Sequence, residues 1–262
     1  MNTKIIAYIV LGGVLFSACH DDLLVNQKSE ITANSMWTSE NDATAAMYGM
    51  YNQFRSAFNQ GYMYWGEYRT GLWGDGLASQ SDRDNTYLNR ISSSHGYSNW
   101  KDLYTTINDC NLILKYTPGI EFQNEDTRNQ VLANALFVRA FCYYWIARIW
   151  GDAPLLLNGF ESGNQEDLYP GRQPVADILA RVAADLDEAL AKMPESVNDR
   201  NLASKGAIQM LMTDYYLWMA KVMNGGATAL QKAKTALAGV RADADYQLQN
   251  DYASVFQNEL NS

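Results

Sequence analysis

The stretch from Asp126 to Trp150 constrains the fold more than any other part of this chain. It has helical periodicity, and after Ala135 it is apolar on nearly all sides. A helix that is apolar all round must be buried all round, so the remaining elements have to surround it. Five further segments carry the same period. Asn41 to Phe58 places Ala43, Ala46, Met47, Met50, Tyr51 and Phe54 on one stripe. Trp100 to about Tyr116 spaces Leu103, Tyr104, Ile107, Asn111 and Leu114 by threes and fours, and Pro118-Gly119 stops it. After Arg172-Gln173-Pro174 the series Val175, Ile178, Leu179, Val182, Leu186, Leu190, Met193 follows, closed by Pro194. Ser204 is a plausible N-cap for Ser204 to Met223, with Gly225-Gly226 as its stop. The alanine-rich run Thr228 to Val240 is the sixth. No series of alternating strands accompanies them, so the expected class is all-α.

Ala135-Leu136, Tyr143-Tyr144 and Ala147 echo Ala207-Ile208, Tyr215-Tyr216 and Met219 at an offset of 72 residues. That is close to twice the 34-residue period of tetratricopeptide (TPR) helix hairpins. Six helices would then stack as three pairs. The aromatic stripe Phe137, Phe141, Tyr144, Trp145 is expected in the core. Arg139, in so apolar a setting, is expected to pair with a buried acid or to cap carbonyls, a structural ion pair being favoured over a ligand contact.

Met1 to Ala18 reads as an export signal. Lys4 is followed by an apolar run from Ile5 to Phe16, then by Ser17, Ala18 and Cys19. The run is shorter than the ~20 residues that a spanning helix needs. Leu15-Phe16-Ser17-Ala18-Cys19 resembles a bacterial lipobox, in which the cysteine is acylated and becomes the mature N-terminus. Residues 1–18 are therefore expected to be a signal peptide, Cys19 to carry lipid, and 19–40 to serve as a tether. Acyl chains anchor by about 0.8 kcal/mol per buried methylene. The acidic residues Asp21 and Asp22 resemble the surface-export signal of lipoproteins in Bacteroidetes-type bacteria. With Cys19 acylated, Cys110 and Cys142 remain inside helical patterns. Two buried free thiols are expected, and a disulfide between neighbouring helices is the alternative.

Charge and composition narrow the chemistry. A net charge of −9 makes nucleic acid a poor partner, and a neutral sugar or peptide suits it better. His20 and His95 are the only histidines, and no Cys/His cluster has zinc spacing. Gly71-Leu72-Trp73-Gly74-Asp75-Gly76 follows no strand and is no dinucleotide fingerprint. Gly-x-Ser-x-Gly and His-Glu-x-x-His motifs are missing. No cofactor, metal site or catalytic residue is expected. Glu67 and Asp75 could act as a glycosidase acid and base, but nothing in the sequence fixes their separation.

The segment Asn59 to Asn99 has no helical period, yet it holds Tyr62, Tyr64, Trp65, Tyr68, Trp73, Tyr87 and Tyr97. Disordered loops are poor in aromatics, so an ordered, functional loop between the first two helices is expected. Sugar recognition needs aromatic faces for C–H surfaces and planar polar groups for hydroxyls. Trp73, Tyr87 and Tyr97 are the candidate platforms, with Asp75, Arg83 and Asn99 as hydroxyl partners. Tyr64, Trp65 and Tyr68 are expected to cover the helix core instead.

Several stretches resemble the SusD/RagB family of outer-membrane nutrient-binding lipoproteins. The most specific runs from Ala135-Leu136-Phe137-Val138-Arg139-Ala140-Phe141-Cys142-Tyr143-Tyr144 through Arg148-Ile149-Trp150-Gly151-Asp152-Ala153-Pro154-Leu155. Trp100, Tyr104, Ile107, Asn108 and Asn111 match the family's preceding helix. Arg172-Gln173-Pro174-Val175, Asp185 to Leu190 and Lys205-Gly206-Ala207 match the following ones. The resemblance implies a TPR-like scaffold on the cell surface that captures a glycan or another nutrient. It also implies delivery to a SusC-like, TonB-dependent transporter. Asp75 resembles a recurrent acidic position of the family. Family members are about twice as long, so residues 41–262 are expected to be the N-terminal helical domain, holding half a site at best. Peptide capture, a helical glycosidase and a pure protein scaffold are the competing readings.

Overall fold

A computed structural model describes residues 36–74, 81–196, 199–243, 246 and 250–253. The expected signal peptide, Cys19 and nearly all of the tether lie outside these residues. The described helices belong to one unit that begins at Trp37. They are α1 (Glu40–Phe58), α2 (Gly61–Trp65), α3 (Ser81–Tyr87), α4 (Lys101–Tyr116), α5 (Glu125–Trp150), α6 (Val175–Lys192), α7 (Lys205–Lys221) and α8 (Gly226–Ala242). Among the described residues the only β pairing is an isolated bridge between Ala153 and Gln173. The fold is all-α.

Local chemistry sets the helix starts. Ser39 and Asp42 form a reciprocal capping box on α1, and the Asn124 and Ser204 side chains accept from Asp126 N and Ala207 N. Each satisfies donors that the first turn leaves open. The long α1, α4, α5, α6, α7 and α8 pack as three pairs: α1 with α4, α5 with α6, α7 with α8. Contacts of α4 on α5 and of α6 on α7 join the pairs into a TPR-like stack. The sequence echo adds a further tie between the second and third pairs, because Tyr144 of α5 and Tyr215 of α7 meet edge to face at 5.7 Å.

α5 is central, with fourteen of its residues buried. The expected aromatic core stripe is only partly so. Tyr144 is fully buried, whereas Phe137, Phe141 and Trp145 are half-buried. Phe141 and Trp145 form an aromatic face with Phe58, which lies 5.2 Å from one ring and 5.5 Å from the other. The helix turns Arg139 and Tyr143 toward α4, and its Phe141 ring packs on Phe54 and Phe58 of α1.

At the centre of the stack Arg139 does find a buried acid. Its Nε and Nη2 donate to the two Asp185 carboxylate oxygens at 2.8 and 2.7 Å. Its Nη1 donates to Asn111 Oδ1 at 2.8 Å, and Arg181 Nε reaches the same carboxylate at 2.8 Å. Burial works against the Arg139 charge, but Asp185 outweighs it and holds the guanidinium pKa above its usual value. Cys110 and Cys142 are free and buried, and burial pushes both thiols well up. They are therefore inert.

The Gly-Asp-Ala-Pro exit of α5 has a mechanical reading. Gly151 turns the chain at φ +70°, where a side chain would be strained. Asp152 Oδ1 then accepts from Val175 N at 2.8 Å and so caps α6, whose own N-cap Pro174 makes no side-chain bond. Arg172 donates to Asp152 O and lies over the Trp100 ring. Pro154 O accepts from the Tyr104 hydroxyl at 2.6 Å. These contacts bind the 151–154 corner to 172–175 and to α4.

One half-buried acid has no such compensation. Asp109 on α4 makes no hydrogen bond or ion pair among the described residues, and burial raises its carboxyl pKa to about 6 from the usual 3.8. Between these values the folded chain holds a proton that the unfolded chain has released. Stability therefore falls as pH rises from about 4 to 6 and stays lowered above that. Asp109→Asn should remove the fall and gain about 1 kcal/mol at pH 7, a figure discounted for partial exposure. Urea unfolding of both proteins at pH 4 and pH 7 checks this. An equal difference at the two pH values would contradict it.

Candidate ligand-binding site

The 59–99 segment lies outside the three helix pairs and is more regular than its sequence pattern predicts. It holds α2, α3 and 3-10 turns at Glu67–Arg69 and Gly96–Ser98. The period was hidden because each piece is shorter than two turns. α2 is seated by its first residue: a Cβ on Gly61 would lie 2.7 Å from the Trp65 ring, so glycine lets the indole fold back. Trp65 Nε1 donates to Tyr97 O at 2.8 Å, and its ring packs on the core, as expected for core cover.

Tyr64 and Tyr68 have a different place from the one expected. Tyr64 stacks on Tyr97, with ring centroids 3.7 Å apart and planes 10° from parallel. Tyr68 meets Tyr64 edge to face at 4.9 Å, and Trp73 meets Tyr68 at 5.1 Å. Four rings thus run in a continuous ladder from Tyr97 to Trp73. His95 pins its near end. Its Nδ1 accepts from Tyr97 N at 3.1 Å, which places the neutral ring's proton on Nε2, 2.8 Å from the buried Thr86 hydroxyl. This histidine ties α3 to the 96–98 turn.

Trp73, Arg83 and Tyr87 come together at the far end, with Tyr68 and Gly74, around a cavity of about 170 Å³. Trp73 is 46% exposed, so its ring is open to a ligand. Tyr97 and Asn99 instead line a neighbouring cavity of about 230 Å³, together with Gln60, Trp65 and Asp102. One face of Tyr97 is covered by Tyr64, and its hydroxyl donates to Gln60 Oε1 at 2.6 Å. Asn99 donates to Gly96 O and accepts from Lys101 N, so its amide also organises the start of α4. Asp75 lies outside the described residues. Both cavities are smaller than the roughly 300–1,000 Å³ of complete small-molecule sites.

Sequence reasoning missed Tyr68, Tyr64, Gln60 and His95 as parts of this surface. Tyr64 and Tyr68 sit one helical turn apart, a spacing that signalled the ladder but was read as core cover. Gln60 and His95 carried no pattern. Glu67, one half of the conceivable glycosidase pair, is solvent-exposed and directs no hydrogen bond into either cavity. The described residues contain no group of three His, Cys, Asp or Glu able to hold a metal ion. None of their helices is long and apolar enough to cross a membrane.

Known proteins give this geometry a context. SusD-like protein P38 of Formosa agariphila is 26% identical over 222 residues, covering 82% of this chain and 43% of that protein. Among solved structures, NanU of B. fragilis superposes with a TM-score of 0.78 at 25% identity, over 88% of this chain and 47% of its own. A SusD superfamily protein from Bacteroides fragilis gives 0.73 at 26% identity, over 84% and 46%. The chain spans less than half the length of each of these relatives. The family model described as "starch-binding associating with outer membrane" matches residues 24–217, through α1 to α7. The chain belongs to the SusD-like family.

Proposed function

We propose that this protein captures a glycan at the cell surface and passes it to a SusC-like, TonB-dependent transporter in the outer membrane. The observation that carries the reading is the open Trp73 ring, grouped with Tyr68, Tyr87 and Arg83 around one cavity. Three rings offer faces to sugar C–H surfaces, and the guanidinium offers planar donors to hydroxyls. The family description as starch-binding supports a saccharide over a peptide. The small size of the cavity suits a site completed by further chain, such as the relatives possess. Binding without catalysis is the proposed mode, in keeping with the family description as starch-binding.

An array of soluble polysaccharides, starch included, tests the capture step. Retention of at least one glycan with no new reducing ends is expected. Release of reducing ends would move the protein to the hydrolases, and retention of peptides alone would change the ligand class.

The anchor is proposed at Cys19, within Leu15-Phe16-Ser17-Ala18-Cys19. Cys19→Ala should shift the protein from the outer-membrane fraction to the soluble one while the helical circular dichroism signal is kept. A variant that stays with the membrane after high-salt washing would refute lipid anchoring there.

A further inference from the structure

We propose a second glycan-binding surface, an extension groove between α4 and residues 154–170, which makes the preferred substrate a long oligosaccharide. This rests on the glycan reading above and adds a length requirement to it. The groove encloses about 910 Å³, several times the volume at Trp73, and it is open along its length. Asn99 and Trp100 line both this groove and the Tyr97 cavity, so the two adjoin at the start of α4. A chain seated at Tyr97 can run on past Trp100 into the groove.

The groove has the two kinds of group that a sugar chain needs. Tyr169 stands on its rim 88% exposed, the most exposed of the large apolar side chains described. An aromatic ring left so open gains nothing for the fold, whereas it offers a ready face to a pyranose. Lys101, Thr105 and Ser162 are exposed polar neighbours along the same walls.

The groove is also preformed. Asn108 accepts from Phe160 N at 2.7 Å and donates to Phe160 O at 2.9 Å, as a paired strand would. Asn111 donates to Leu156 O and Asn158 O, and the Tyr143 hydroxyl exchanges hydrogen bonds with Leu156 N and O. Gly159 completes the seat, because a Cβ there would meet Leu112 at 2.7 Å. Fixing the wall in advance lowers the ordering cost of binding.

The test uses the glycan array printed with each polysaccharide as disaccharide and octasaccharide. The proteins are the wild type, Tyr169→Ala, and Tyr252→Ala as a control for an exposed ring outside the groove. The wild type should bind the octasaccharide of its preferred glycan about tenfold tighter than the disaccharide, the scale of one aromatic contact. Tyr169→Ala should lose that surplus and keep disaccharide binding, and Tyr252→Ala should match the wild type. Equal affinity for both lengths, or an unchanged surplus in Tyr169→Ala, would overturn the groove while leaving the Trp73 site intact. Retention of no glycan by any protein would overturn the underlying glycan reading and the groove with it.

Discussion

Asp185→Leu is expected to destabilise the folded chain by about 3–5 kcal/mol, because it strands a buried charge. Arg139 has a side chain 7% exposed and keeps only Asn111 once the carboxylate is gone. The loss is a large share of the roughly 5–15 kcal/mol by which domains are stable. Arg139→Met should cost less, since Asp185 retains Arg181, whose side chain is 26% exposed and can share the charge with solvent. The double variant Arg139→Met/Asp185→Leu should recover part of the loss by replacing ions with apolar volume. The effect should also travel. Asn111 links this pair to the carbonyls of Leu156 and Asn158, so the wall of the α4 groove should loosen as well. Urea unfolding followed by circular dichroism measures all three variants. A cost below about 1 kcal/mol for Asp185→Leu would show that the pair is not structural.

The second large effect is on binding. Trp73→Ala and Tyr87→Ala should each weaken capture of the glycan retained on the array by about 1–3 kcal/mol, the range for truncating a central aromatic anchor. Arg83→Gln should cost less, because an amide still donates to hydroxyls. None should disturb the helix stack, since Trp73, Arg83 and Tyr87 belong to the 59–99 segment, outside the three helix pairs. Calorimetric titration of each folded variant checks this. Unchanged affinity in both aromatic variants would place the site elsewhere on the protein.

The scaffold was legible because its signals are local and periodic. Helix starts at Ser204 and after Pro174, the stop at Gly151 and the burial of Ile178, Leu179, Val182 and Leu186 all follow from spacing and caps. Arg139 was legible by exception, as one charge in an apolar helix that must find a partner. The surface segment was less so. α2 and the Gly96–Ser98 turn are fixed by contacts with residues more than thirty positions away, such as Trp65 to Tyr97, and no local period records those. Tyr68 looked like core cover because aromatic residues near helices usually are. The partial burial of Phe141 and Trp145 depends on what packs against the other faces of α5, which a single helix cannot reveal. Of the six candidate ligand residues, three meet at one cavity and two at its neighbour. Asp75, the sixth, lies outside the described residues.

Glycan capture through the aromatic ladder is the central claim, and affinity electrophoresis tests it most directly. The wild-type protein and the double variant Trp73→Ala/Tyr87→Ala are run through native gels cast with each polysaccharide retained on the array. Retardation of the wild type, with the variant migrating as it does in a plain gel, is the predicted result. Equal retardation of the two proteins, or no retardation of either in any gel, would contradict it.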